Sequence, residues 1–199
     1  MRSENVEAQI LSAAINIFQI KGMYGARMHE IADEANLNKA MLHYYFKNKK
    51  MLFEASFIEL FSILAAQLNT VLNDDSPITN KISRFTNTYS VFISNHPFLP
   101  NFIIQELNRN PEFIKIINQK LPSIEKFKKQ VEHEVKQGVL IPINSEQLFI
   151  NIMSLIIFPF MASPLLKGYI NYNEKAYEDL LETRKTEVAN FIINSIKRK

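Results

Sequence analysis

The groups able to do chemistry gather between Arg27 and Lys50. Lys39, Lys47, Lys49 and Lys50 lie in a window with no acidic residue between Glu34 and Glu54. An ammonium group with no carboxylate beside it is free to meet phosphate. Lys49 and Lys50 also open a helix, whose first backbone N–H groups favour an anion. Arg27 adds a planar guanidinium suited to the same partner, and His43 can donate to a phosphate or a base edge. Elsewhere the sequence is poor in reactive groups. It has no cysteine, and its four histidines (His29, His43, His96, His133) lack metal-ligand spacing. No glycine-rich phosphate loop and no paired Ser-His-Asp signal is present. No catalytic residue, no metal and no cofactor is therefore expected, and an enzyme is disfavoured.

These groups need a frame, and the residues around them specify one. Ile31, Ala32 and Ala35 give a helix a small-residue face that lets a second helix cross it closely. Asn36 breaks that helix in a position that demands a left-handed backbone, which asparagine adopts next best after glycine. Leu37 then turns inward, and Asn38 caps the following short helix through its side-chain oxygen. On that helix Leu42, Tyr45 and Phe46 are candidates for anchoring to the core, leaving Lys39, Ala40, Met41, His43 and Tyr44 to point elsewhere. Such a helix suits a major groove. The plainer alternative is that the lysines form a solvated face and Tyr44 is packed.

Residues 22–52 resemble the DNA-binding signature of the TetR family, through Gly22, Ile31-Ala32, Ala35-Asn36-Leu37-Asn38, His43-Tyr44-Tyr45-Phe46 and Lys49. Asn36 and Asn38 stand where the family usually has glycine and serine, and both keep the backbone role. His43 replaces a tyrosine and Arg27 a serine or threonine, which alters the set of contacts. The resemblance implies a double-stranded DNA operator as partner. Arg27, Lys39, His43, Tyr44 and Lys49 would face it, with Lys39, Ala40 and Met41 nearest the bases and Asn38 at the head of the reading helix. It also implies repression, relieved when a small-molecule effector enters a pocket formed by helices between about 50 and 140.

The remainder of the chain reads as helices joined by short turns: 199 residues, 47% hydrophobic, net charge +3, with no alternating strand pattern. The fold class expected is all-α, an N-terminal three-helix helix-turn-helix domain (1–48) followed by a helical ligand-binding and dimerisation domain (49–199), with about nine helices. The first helix runs from a cap near Ser3 to Lys21 and stops at Gly22. Prolines punctuate the middle of the chain.

Helix 145–166 is apolar almost all round and helix 174–197 carries an apolar stripe, so the pair is expected to form a homodimer interface. Residues 147–166 carry no charge and approach membrane-spanning length, but Gln147, Asn151, Ser154, Pro159 and Pro164 favour a protein-buried helix and no membrane role. The acidic Glu4 and Glu7 argue against a targeting peptide, so a cytoplasmic protein is expected.

For the effector, the candidates are Tyr89, Phe92, His96, Phe102 and Glu106, recurring at helical spacing. An apolar or amphipathic ligand is expected, although an aromatic stripe also serves as plain core. Glu106 shares a stripe with Phe102, and a lone buried carboxylate needs either a ligand or a hydrogen-bonding neighbour such as Tyr89, His96 or a backbone N–H. The rival reading is a helical interaction protein or a constitutive DNA-binding protein that senses nothing.

Overall fold

The computed structural model describes residues 2–198. In chain order the helices are α1 (Arg2–Gly25), α2 (Met28–Glu34), α3 (Lys39–Tyr45), α4 (Lys49–Leu72), α5 (Ile78–Asn95) and α6 (Leu99–Arg109). They continue with α7 (Phe113–Asn118), α8 (Glu125–Lys136), α9 (Ser145–Met161), α10 (Ser163–Ile170) and α11 (Glu174–Ile196). The all-α expectation holds, with eleven helices among the described residues instead of about nine. The only β pairing among those residues is an isolated bridge, Leu140 to Lys197.

The chain divides into two compact units. One comprises the chain up to Ala65 together with Asn101–Leu121, the other Ala66–Pro100 and the chain from Pro122 onward. The boundary expected at 48/49 thus falls at the start of α4, whose residues up to Ala65 belong with the N-terminal helices.

In the first unit, α1 already includes Arg2, so Ser3 lies inside the first turn and not at its cap; the Ser3 side chain is outside the described residues. Gly22 has φ 66° and ψ 173°, a region closed to residues with a Cβ, so the regular helix breaks where the sequence placed the stop. The core is aromatic. Phe57 stacks on Phe102 with ring centroids 4.4 Å apart, and Phe53 meets Phe18 edge-on at 5.1 Å and Phe113 at 5.6 Å. Each such ring contributes about 1.5–3 kcal/mol by burial, and each well-oriented pair about 0.5–1.5 kcal/mol more. The apolar run of α4 is long enough to cross a bilayer by composition alone, yet Leu52, Phe57, Leu60, Phe61, Leu64 and Leu68 are all buried within protein.

The second unit is built around α5, which packs on α8, α9 and α11. Ile78, Ile82, Phe85, Tyr89 and Ile93 supply its buried face, with Phe85 and Phe127 each 6.0 Å from the Phe149 ring. A fully buried cation on this helix is structural: Lys81 Nζ donates to the carbonyls of Leu72 (3.0 Å) and Asp74 (2.6 Å), closing the C-terminal end of α4.

The helix expected over 145–166 is two helices. Pro164 starts α10 and the axis bends by 78° at Ala162. Inside α9, Pro159 has no N–H to give the carbonyl of Leu155. Arg184 supplies the missing donor from α11, its Nη2 lying 3.0 Å from that oxygen. The Tyr177 hydroxyl likewise donates to the Pro159 carbonyl at 2.7 Å.

Candidate nucleic-acid interface

The turn between α2 and α3 takes the shape its residues dictate. Asn36 sits at φ 50°, in the left-handed region. Its N–H bonds the Asp33 carbonyl at 3.0 Å, and the Leu37 N–H bonds the Ala32 carbonyl at 2.9 Å, which ends α2 tightly. Asn38 Oδ1 then accepts from the Met41 N–H at 2.7 Å and starts α3. Asn48 does the same for α4, accepting from Met51 at 2.9 Å. Ile31, Ala32, Ala35, Leu42 and Phe46 are buried, so α2 and α3 are held from one side only.

The opposite side is open. Lys39, Ala40, Met41, His43 and Tyr44 are exposed, and Tyr44, 81% accessible, is not packed as a core tyrosine; its ring meets only the neighbouring Tyr45 edge-on at 5.3 Å. Arg27 is exposed at the residue before α2. Its own backbone N–H is held by Glu30 Oε2 at 3.1 Å, and Glu30 Oε1 accepts from Lys21 at 2.8 Å. The bond from Lys21, then that from Arg27, holds the Glu30 carboxyl below its ordinary value. Sequence reasoning misses Glu30, although its three-residue spacing from Arg27 is the signature of a helix start.

Lys49 is placed differently from the other lysines. Its Nζ donates to the carbonyls of Ala26 (3.0 Å) and Tyr24 (3.3 Å), tying the first residue of α4 to the end of α1. Lys39 and Lys47 are exposed, and Lys50 has Glu54 beside it at 3.8 Å.

The five sensing candidates divide between the units. In the first, Phe102 is part of the Phe53–Phe57 cluster. Glu106 is 4% exposed, with Arg109 Nη1 at 3.7 Å; burial pushes its carboxyl up and Arg109 partly offsets this. Arg109 also lies over the exposed Tyr24 ring at 5.8 Å. In the second unit, Tyr89 is buried against Phe85, and burial alone pushes its hydroxyl up to about 12. Phe92 lies 4.8 Å from the His96 ring, whose pKa burial lowers. A 340 Å³ depression on α9 and α11 is lined by none of these five.

An open reading helix, a left-handed turn and two asparagine caps are joined by one further observation: residues 10–56 match the family model for bacterial regulatory proteins of the tetR family. Residues 10–56 therefore carry a DNA-binding domain of the tetR type. A similar curated protein, the probable HTH-type transcriptional regulator YttP of Bacillus subtilis, is 25% identical over 157 residues, 77% of this chain and 76% of its own length. Among solved structures, an HlyIIR mutant protein with a linker replacing one segment superposes with TM-score 0.69 at 24% identity, covering 98% of this chain and 97% of its own. The regulator FadR from Bacillus subtilis, solved with stearoyl-CoA, superposes with TM-score 0.67 at 15% identity over 95% of this chain and 98% of its own. The chain is therefore a DNA-binding transcription regulator with a tetR-type N-terminal domain and the all-helical fold of those structures.

Proposed function

We propose that this regulator is a cytoplasmic homodimer that represses transcription by occupying a roughly two-fold operator and leaves it when a small apolar or amphipathic molecule binds. The observation that carries the reading is the one-sided anchoring of α3. Leu42 and Phe46 fix the helix to the core while Lys39, Ala40, Met41, His43 and Tyr44 remain uncovered. Lys39, Ala40 and Met41, at the N-terminal end, read base edges in the major groove. Arg27, His43 and Tyr44 hold flanking phosphates, and Asn38 keeps the head of α3 in place. Lys49 has three ammonium donors and spends two on Ala26 and Tyr24, so it offers one to a phosphate while bracing the frame. Two copies place their α3 helices in successive grooves about 34–36 Å apart.

Support for an effector comes from Glu106 and Tyr89. Glu106 is a buried carboxylate whose neighbouring cation stands at 3.7 Å, beyond a close hydrogen bond. Tyr89 is buried, and that burial pushes its hydroxyl up to about 12. Within the second unit, Tyr89, Phe92 and His96 along α5 suit a ligand with an apolar body and a polar end. The stearoyl-CoA held by the Bacillus subtilis FadR illustrates that this fold can take such a molecule. The packing of Phe102 against Phe57 favours a second reading, a constitutive DNA-binding protein with a filled core.

Selection of bound sequences from a random duplex pool, followed by salt-dependent binding to the winners, tests the proposal. A two-fold symmetric consensus whose affinity drops on adding an apolar effector from a metabolite panel supports it. Recovery of no consensus at any salt concentration refutes it, and a consensus insensitive to the whole panel assigns the constitutive reading.

A further inference from the structure

We propose that Lys21 and Glu30 are a positioning pair for DNA binding, in which Lys21 engages the Glu30 carboxylate and so leaves the Arg27 guanidinium free to meet phosphate. The inference rests on the phosphate role given to Arg27 above and names the groups that keep it available. An acid at this place works against that role. Arg27 precedes α2 and Glu30 follows three residues on, the spacing at which side chains at a helix start come together. An arginine and a carboxylate that meet in this way form a two-pronged ion pair. A guanidinium held by its own chain would then displace no counterion from DNA.

That ion pair is not what the structure shows. Glu30 Oε2 accepts from the Arg27 backbone N–H at 3.1 Å and Oε1 from Lys21 Nζ at 2.8 Å, so each oxygen has a donor. Among the described residues the Arg27 side chain takes part in no ion pair. The first of these bonds also fixes the main chain from which the guanidinium projects, Arg27 being extended at φ -118° and ψ 143°. Arginine has no acceptor and cannot itself cap α2, so Glu30 is the half of the capping arrangement that remains.

The fold brings Lys21 to this carboxylate. Lys21 is the residue before Gly22, whose φ of 66° breaks the regular helix, and the chain turns back so that Lys21 and Glu30 meet across nine positions. The turn between them has its own anchor, since Lys49 Nζ holds the carbonyls of Tyr24 and Ala26. The Lys21 and Glu30 side chains are 41% and 27% exposed, and an ion pair that open adds little to stability. Its effect is on occupancy instead: a carboxylate already satisfied by Lys21 does not turn to Arg27.

Fluorescence anisotropy of a labelled mixed-sequence DNA duplex, titrated with the full chain at several salt concentrations, tests the proposal. Lys21→Met should weaken binding at least about tenfold and lower the salt slope by about one unit per protomer, as Glu30 turns to Arg27. Glu30→Gln keeps an acceptor for the Arg27 N–H but carries no charge, so it should tighten binding by removing an acid beside phosphate. The double variant, Lys21→Met with Glu30→Gln, should regain both the affinity and the slope that Lys21→Met loses. A pair that merely staples α1 to α2 predicts another pattern: Glu30→Gln weakens binding as Lys21→Met does, with loss of helical circular dichroism, and the double variant is no better. That pattern overturns the inference and leaves the role of Arg27 standing. So does a neutral Lys21→Met, or a double variant that folds but stays as weak as Lys21→Met, which would place Lys21 itself on phosphate. A wild-type chain that does not bind the duplex at low salt, or an Arg27→Gln variant that binds as tightly as wild type, overturns the phosphate role of Arg27 and this inference together.

Discussion

Exchanging Arg184 for methionine, alone and together with Pro159→Ala, asks whether one side chain stands in for a missing main-chain donor. In the native chain Leu155 O has no i+4 partner because residue 159 is proline, and Arg184 Nη2 occupies that place at 3.0 Å. Methionine keeps most of the apolar stem and removes the donor. A hydrogen bond from a charged group contributes about 1.5–3 kcal/mol, and an acceptor left buried costs about 1–3 kcal/mol. Both residues here are half-buried, so the lower end applies and Arg184→Met should cost about 1–2 kcal/mol. In the Pro159→Ala background the alanine brings a backbone N–H that reaches Leu155 O by itself, and the same substitution should then cost less than about 0.5 kcal/mol, an interaction of roughly 1 kcal/mol between the two sites. Urea unfolding at fixed protein concentration, followed by circular dichroism, supplies the four free energies. An equal cost of Arg184→Met in both backgrounds would refute the reasoning, because Arg184 would then be acting through packing or surface charge.

Other consequences are equally open to measurement. Asn36→Gly should be tolerated, whereas Asn36→Val, forced to φ 50°, should cost about 1–2 kcal/mol in thermal unfolding and weaken DNA binding with it. Lys39→Ala should alter the sequence preference of bound DNA by about 1–3 kcal/mol at one position, while Lys47→Ala should weaken binding at all sequences and lower the salt slope by about one unit. Lys49→Ala should do the latter and also reduce stability by about 1–2 kcal/mol, since the carbonyls of Tyr24 and Ala26 lose their donor; a variant as stable as wild type refutes the bracing role. Asp74 is held well below the usual carboxylate range, chiefly by the Ser76 hydroxyl and backbone N–H, with Arg84 and Lys81 adding to it. Its folded pKa lies below the unfolded value near 3.8, so its stabilisation is complete above that value and is lost as pH falls through the folded one. Asp74→Asn should accordingly flatten stability below about pH 4, and an unchanged acid limb would show that other carboxylates govern it.

What was legible in the sequence is what operates within a few residues. Asn36, Asn38, Asn48 and Gly22 act on backbone groups no more than four positions away, and the structure places all four as those local rules require. The break at Ala162 obeyed a rule of the same range, with Pro164 starting a new helix, but the apolar periodicity on both sides concealed it. The candidate site was legible for the same reason: which residues of α3 are buried follows from its turn and its period. The five sensing residues share a helical period, yet period cannot tell that Phe102 stacks on Phe57 or that Glu106 meets Arg109, because those neighbours depend on how helices cross.

The basic residues expose this limit most sharply, and correcting for it changes the electrostatic expectation. Lys49 closes the end of α1, Lys81 the end of α4, Lys126 donates to the Asn73 carbonyl at 2.6 Å, and Arg184 repairs α9 at Pro159. Each meets a carbonyl that an interrupted helix or a turn leaves unpaired, and none of these partners is recognisable from neighbouring sequence. A count of cations therefore overstates what this protein can offer to phosphate. Among the described residues, Lys39, Lys47 and Lys50 of the acid-free window make no bond to a backbone carbonyl, while Lys49 is largely engaged. The salt slope of operator binding should then follow Arg27, His43 and those three lysines from each protomer, supplemented by at most one remaining donor of Lys49, and should fall short of the slope its lysine density suggests.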